Sequence, residues 1–151
     1  MAGLENLTAC ESLRIGSAAH PNETLRQLSL PALKEIKGDL CVYGTALQTA
    51  DFKSLQSVAG HFVLQSDALL QLTADELTTV AGNMTLIGTT ADEAKAPCEQ
   101  MYFPKLQRID GTLTLSRFDR LSGLGTTFGV LTQAGALRYE HLALANTFEF
   151  P

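Results

Sequence analysis

Apolar positions in the middle of this chain recur in one fixed order. Four stretches, LPALKEIKGDLCVYGT (30–45), DFKSLQSVAGHFVLQS (51–66), ADELTTVAGNMTLIGT (74–89) and FPKLQRIDGTLTLSRF (103–118), share the pattern L-x-x-[IV]-x-G-x-φ-x-φ, where φ is apolar. Its leucines are Leu33, Leu55, Leu77 and Leu106, its β-branched positions Ile36, Val58, Val80 and Ile109, and its glycines Gly38, Gly60, Gly82 and Gly111. Successive glycines lie 22, 22 and 29 residues apart, and the longer interval holds a polar insertion around Thr89–Gln100. A fixed period in this range signals stacked supersecondary units that share one continuous core. Both ends fit with one residue deleted: Leu7-x-x-Cys10-Glu-Ser-Leu13-Arg-Ile15 as a first rung and Leu131-x-x-Ala134-Gly135-Ala-Leu137-Arg-Tyr139 as a last.

The φ-x-φ pair alternates with the period of a strand. It predicts six parallel strands with inward pairs Leu13/Ile15, Leu40/Val42, Phe62/Leu64, Met84/Leu86, Leu113/Leu115 and Leu137/Tyr139. At the parallel spacing of about 4.8 Å these form a wall roughly 24 Å tall. The L-x-x-[IV] segment supplies a second buried wall, and glycine between the walls permits a corner where a side chain would clash. Parallel crossovers coil right-handed. A leucine-rich-repeat horseshoe has a similar period but closes its turn with asparagine. Here Thr45, Asp67, Thr89 and Phe118 stand at that position. The expectation is therefore all-β: a right-handed parallel β-helix of about six rungs in one domain, 1–151. The end, Phe148-Glu-Phe150-Pro151, repeats the opening of a rung and reads as a cut from a longer repeat protein, whereas the helix formers of 136–145 would instead favour a closing helix.

Composition narrows the function. At 45% hydrophobic and 18% charged the chain is an ordinary folded protein, and a net charge of −5 gives no nucleic-acid footprint. No run reaches the roughly 18 apolar residues of a membrane span. The start carries neither the basic nor the apolar region of a signal peptide. Cys10, Cys41 and Cys98 are scattered, with no CxxC and no paired histidines, so they read as isolated thiols and no metal or cofactor is expected. Of four asparagines, Asn6, Asn22 and Asn83 sit in N-x-Thr sequons, which leans towards secretion and possible glycosylation at those three.

The repeat, with Phe103-Pro104 ahead of Leu106, Ile109 and Gly111, resembles that of the receptor L-domain family. Val80-Ala-Gly82-Asn-Met84 is similar to that family's central strand, and Gly135-Ala-Leu137-Arg-Tyr139 with Leu142 and Leu144 to its closing strand. The family, related to leucine-rich repeats, comprises β-helical ectodomains of insulin-type and epidermal-growth-factor-type receptors and fungal cell-wall proteins. The resemblance implies a β-helix whose sheet face or edges contact protein ligands, and an extracellular setting. The chain departs from it in having Ala143–Asn146 where a cysteine usually follows the closing strand.

Alternation also assigns the outward residues. The column Asp39–His61–Asn83–Thr112 is the one constellation with chemical potential, since an Asp beside a His orients a general base. It has no nearby nucleophile and reads as a solvated surface pair. A β-helical polysaccharide enzyme would need clustered acids on the sheet, and only one carboxylate faces out. Gly123-Leu-Gly125-Thr-Thr-Phe-Gly129 lacks the strand–loop–helix context of a phosphate loop. Apolar Cys41, Tyr43, Val63 and Ile87, by contrast, adjoin across three rungs, and such patches mark interfaces. The expectation is a non-enzymatic binding module of the cell surface, meeting a protein partner or extracellular ligand on the flat face through Tyr43, His61, Val63, Gln65, Thr85, Ile87 and Thr114. An intracellular or organellar scaffold of the same fold and a carbohydrate-active β-helix are the other readings.

Overall fold

The computed structural model describes residues 3–88, 97–98, 100–118, 120–121 and 127–142. Most of the insertion (89–96 and 99), the glycine-rich 122–126 and the stretch 143–151 lie outside the described residues. The chain winds through the same stations again and again. The first turn places β1 (Ala9–Cys10) on a narrow wall, β2 (Leu13–Ile15) on a broad wall and β3 (Gln27–Ser29) on a third face. The next follows as β4 (Glu35–Ile36), β5 (Leu40–Tyr43) and β6 (Thr49–Asp51). Then come β7 (Ser57–Val58), β8 (Phe62–Gln65) and β9 (Gln71–Thr73), and β10 (Thr79–Val80), β11 (Met84–Ile87) and β12 (Gln100–Tyr102). The two last strands, β13 (Arg108–Phe118) and β14 (Gln133–Leu142), run through the narrow and broad walls without a break. The result is an all-β parallel β-helix of about 5 turns.

Because β13 is continuous through the corner, the narrow and broad walls join into one ten-stranded sheet, while β12, β9, β6 and β3 form a separate sheet of four. The broad-wall register is the one that the repeat predicts: Leu13, Leu40, Phe62, Met84, Leu113 and Leu137 stack in one parallel column. The narrow wall stacks Cys10, Ile36, Val58, Val80, Ile109 and Ala134. The deleted residue in the last rung appears as a register shift between Ile109 and Thr112, where Asp110 and Gly111 together oppose Gly135. The two walls of the sequence reading thus become three faces. The third stacks Leu28, Ala50, Leu72 and Met101 inward.

Each third-face strand leads into a tight turn whose first and last residues are both buried. The amides of Leu33, Leu55, Leu77, Leu106 and Leu131 donate to the carbonyls of Leu30, Phe52, Ala74, Phe103 and Phe128 at 2.9–3.3 Å. Ala74 is the small member of this series, and the broad wall fills the space it leaves. Phe62 meets Phe52 and Phe103 edge-on, with centroids at 6.1 and 6.4 Å, and Phe103 stacks on Phe128 at 5.4 Å. Size complementarity of this kind, large opposite small, is how a close-packed interior avoids voids.

Leu55, Leu64, Leu86 and Leu113 are fully buried, as the inward assignment requires. Leu137 and Tyr139 keep the inward register expected of them, yet are 37% and 38% exposed, because no described rung stacks beyond β14. Residues 136–142 are strand, as the last-rung reading requires, and not the helix that their residue types favour. Leu86→Ala should destabilise by about 2–5 kcal/mol and Phe62→Ala by about 3–5 kcal/mol in chemical denaturation, because cavities in a stacked core collapse poorly. Near-neutral values for both would mean that the columns are not the source of stability.

Candidate functional site

The broad wall carries three outward columns, and the first is not a loose surface. It begins at the corner, where successive rungs approach so closely that their backbones touch. The amides of Gly60, Gly82 and Gly111 donate to the carbonyls of Gly38, Gly60 and Gly82 at 2.9–3.0 Å. A Cβ on Gly82 would lie 2.6 Å from the Gly60 oxygen and 2.7 Å from His61 Nδ1, so glycine is obligatory there. Ser12 in the first rung, and the residue after Gly38, Gly60 and Gly82 in the rungs that follow, then cap the backbone of the next rung. Ser12 Oγ accepts from the Asp39 amide (3.1 Å), Asp39 Oδ1 from the His61 amide (2.8 Å), His61 Nδ1 from the Asn83 amide (2.9 Å), and Asn83 Oδ1 from the Thr112 amide (2.9 Å).

This ladder corrects the reading of Asp39 and His61 as a solvated pair. Asp39 binds the backbone of His61 and not its ring. The imidazole in turn spends Nδ1 on Asn83, which leaves its proton on Nε2. Each bond contributes about 0.5–1.5 kcal/mol and satisfies an amide that parallel pairing leaves at the corner. Among the described residues no three His, Cys, Asp or Glu side chains gather as a metal-binding group.

The second column runs Arg14, Cys41, Val63, Thr85, Thr114, Arg138, and the third Tyr43, Gln65, Ile87, Ser116, Glu140. Of the residues expected to form the site, Tyr43, Val63, Gln65, Thr85, Ile87 and Thr114 are half-buried neighbours in these two columns, and exposed His61 borders them. No charged side chain stands in either column between β5 and β13. Charges appear only at the ends, Arg14 on β2 and Arg138 and Glu140 on β14. Cys41 departs from expectation: it is only 7% exposed and therefore not part of an open patch. Burial pushes its thiol up, an effect that the neighbouring Arg14 guanidinium, hydrogen-bonded to it, opposes and that Asp39 reinforces. Burial likewise raises the Cys10 thiol, with Glu11 adding to it. No disulfide joins Cys10, Cys41 and Cys98.

Among the described residues there are depressions on the broad wall and on the third face. One of about 420 Å³ lies at the C-terminal end of the broad wall, floored by Ala136 and lined by Asn83, Thr85, Thr112, Thr114 and Arg138. Outward alternation names these residues, but only the register shows that small Ala136 leaves a hollow between them. The other, about 320 Å³, lies on the third face among Thr49, Asp51, Lys53, Gln71, Thr73 and Asp75. Of the sequon asparagines, Asn6 and Asn83 are exposed. Asn22 is half-buried, and its Oδ1 accepts from the amides of Thr24 and Leu25 at 3.1 and 2.7 Å. Comparison with family models, with curated proteins and with solved structures yields no match.

His61→Ala should cost about 1 kcal/mol by stripping the Asn83 amide of its acceptor, whereas His61→Asn, which repeats the Asn83 arrangement, should be near neutral. Gly82→Ala should cost about 1–3 kcal/mol through overpacking against the Gly60 backbone. Equal stability of the alanine and asparagine variants at 61 would remove the ladder from the account. Cys41 should react slowly with an alkylating reagent at neutral pH, and more slowly still in Arg14→Ala, which removes the cation that favours its thiolate. An unchanged rate would show that Arg14 does not act on the thiol.

Proposed function

We propose that this protein is a non-enzymatic binding module that takes a protein partner on the broad wall. The carrying observation is the uncharged run of Tyr43, Gln65, Val63, Thr85, Ile87 and Thr114 on four parallel strands, half-exposed on a backbone that the corner ladder holds in register. Such a surface has little charge to desolvate on contact. Its one aromatic, Tyr43, is of the type that dominates interface energies. The rigid sheet also presents these groups with little ordering entropy left to lose. The repeat's resemblance to receptor L-domains, which meet protein ligands, supports the same reading and an extracellular setting.

The residues best suited to acid–base work point away from catalysis. Asp39 and His61 are committed to backbone amides, and a base needs a free nitrogen aimed at a substrate proton. Val63→Glu and Ile87→Lys should abolish association with a partner while leaving the unfolding midpoint unchanged, since neither side chain belongs to the core. Gln71→Lys, on the third face, should bind as the native chain does. If the two wall variants keep full affinity, or Gln71→Lys loses it, the binding surface lies elsewhere.

A further inference from the structure

The third face carries a surface of a different kind from the broad wall. Its strands bury only their middle residue, so the first and last stand outward in two columns. Gln27, Thr49 and Gln71 form one, and Ser29, Asp51 and Thr73 the other, which β12 continues with Tyr102. Each of these side chains carries hydrogen-bonding groups, and none is aliphatic. Over β6 and β9 the surface sinks into the hollow of about 320 Å³, which Lys53 and Asp75, from the turns that follow, also line. Hydrogen bonds hold its groups in place. Asp51 Oδ1 accepts from the Lys53 amide at 3.0 Å and Oδ2 from the Ser29 hydroxyl at 3.4 Å. The Gln71 side-chain amide donates to Thr73 Oγ1 at 3.2 Å, which leaves the Thr73 hydroxyl its own proton to donate.

The mixture of groups decides what fits. A bare cation needs more carboxylates together, and among the described residues no three His, Cys, Asp or Glu side chains gather. An anion would meet the carboxylates of Asp51 and Asp75, and an apolar ligand would strip polar side chains of water. A polyol offers donors and acceptors on adjacent carbons, and carboxylates beside an ammonium, an amide and hydroxyls match both. Tyr102 follows Thr73 along its column and is 42% exposed, so its ring is open to the C–H face of a pyranose. The rungs themselves repeat at about 4.8 Å, close to the length of one sugar in an extended chain. We infer that the third face binds a neutral, extended oligosaccharide laid across its strands, one sugar to a rung. Asp51, Asp75 and Lys53 hold ring hydroxyls in the hollow, and Tyr102 stacks on a sugar beyond it. The site lies on a different face from the surface proposed for a protein partner and does not depend on it.

Isothermal titration calorimetry of the full chain with β-1,4-linked oligomers of glucose, mannose and N-acetylglucosamine tests this. At least one of these series should bind, with affinity rising as the oligomer lengthens to four sugars and levelling off beyond, because the sheet has four strands. The mannuronic acid oligomer, the mannose chain with a carboxylate on every ring, should bind more weakly than its neutral counterpart. Asp75→Ala should weaken binding by roughly tenfold or more, since a charged acceptor is lost. Tyr102→Ala should weaken it several-fold, whereas Tyr102→Phe, which keeps the ring, should not. Both positions are exposed, so circular dichroism should stay native, and either variant suffices if the other folds poorly. Val63→Glu, on the broad wall, should bind the sugar as the native chain does, which keeps this site distinct from the partner surface. Failure of all three neutral series to bind overturns the proposal. So does an affinity that ignores oligomer length, a preference for the acidic oligomer, or binding that survives intact in both Asp75→Ala and Tyr102→Ala.

Discussion

At the corner between the narrow and broad walls, glycine backbone lies directly on glycine backbone. Parallel strands repeat at about 4.8 Å, and a bend at that pitch leaves no room for a Cβ. Gly60 and Gly82 show the constraint most sharply, since a methyl on Gly60 would fall 2.7 Å from the Gly38 carbonyl carbon and one on Gly82 would fall at the same distance from that of Gly60. A sharp bend also interrupts the ladder of backbone pairing and leaves amides to be satisfied. The chain solves both problems in adjacent residues: glycine permits the approach, and the next side chain accepts the amide of the rung above. Ser12, Asp39, His61 and Asn83 differ in charge and size but share an acceptor atom a short reach from the backbone.

Register follows from the corner, and packing follows from register. Once the bends are fixed one above another, every residue two positions further along the broad wall falls in a column, and a one-residue slip would turn each column inside out. That is why Phe62 can be matched to Ala74 from a different face. The pairing works only if both are held at one height, between Phe52 and Phe103. Pairing across these strands leaps a whole turn, so most contacts join residues far apart in sequence, and chain entropy must be overcome before they form. Fully buried leucine columns, each residue contributing about 1.5–3 kcal/mol, are what offset it.

The broad wall was legible because its signal repeats: a leucine, a β-branched residue, a glycine and an alternating pair, four times over. The strand starts at Leu40, Phe62, Met84 and Leu113 and their stacking follow directly. The third face was not, because Gln27–Ser29, Thr49–Asp51 and Gln71–Thr73 each bury a single residue, and one apolar position has no period to detect. The role of His61 was hidden for another reason. Alternation says that it faces outward, but a backbone amide as its partner leaves no trace in residue types. Cys41 shows the same limit, since the Arg14 side chain that reaches it comes from the rung below. At the end, Leu137 and Tyr139 match the pattern in type and register, and only the want of a described rung beyond them makes them surface.

The division of labour among the outward columns bears on function. The first column is spent on holding rungs together, so its chemistry is constrained by the amide it must accept and is poorly placed to vary with a ligand. The second and third columns carry no such duty, because their strands are already satisfied by regular parallel pairing. Val63, Thr85, Ile87, Tyr43 and Gln65 can therefore change without disturbing the bend or the core, provided that they do not promote aggregation. A surface whose side chains are free of structural obligation, set on a backbone that has almost none of its freedom left, is the arrangement in which partner choice can be altered at small cost to stability. The same separation gives the aspartate and histidine of this wall a structural task. At this position the repeat requires an acceptor, and both residues are there to supply one.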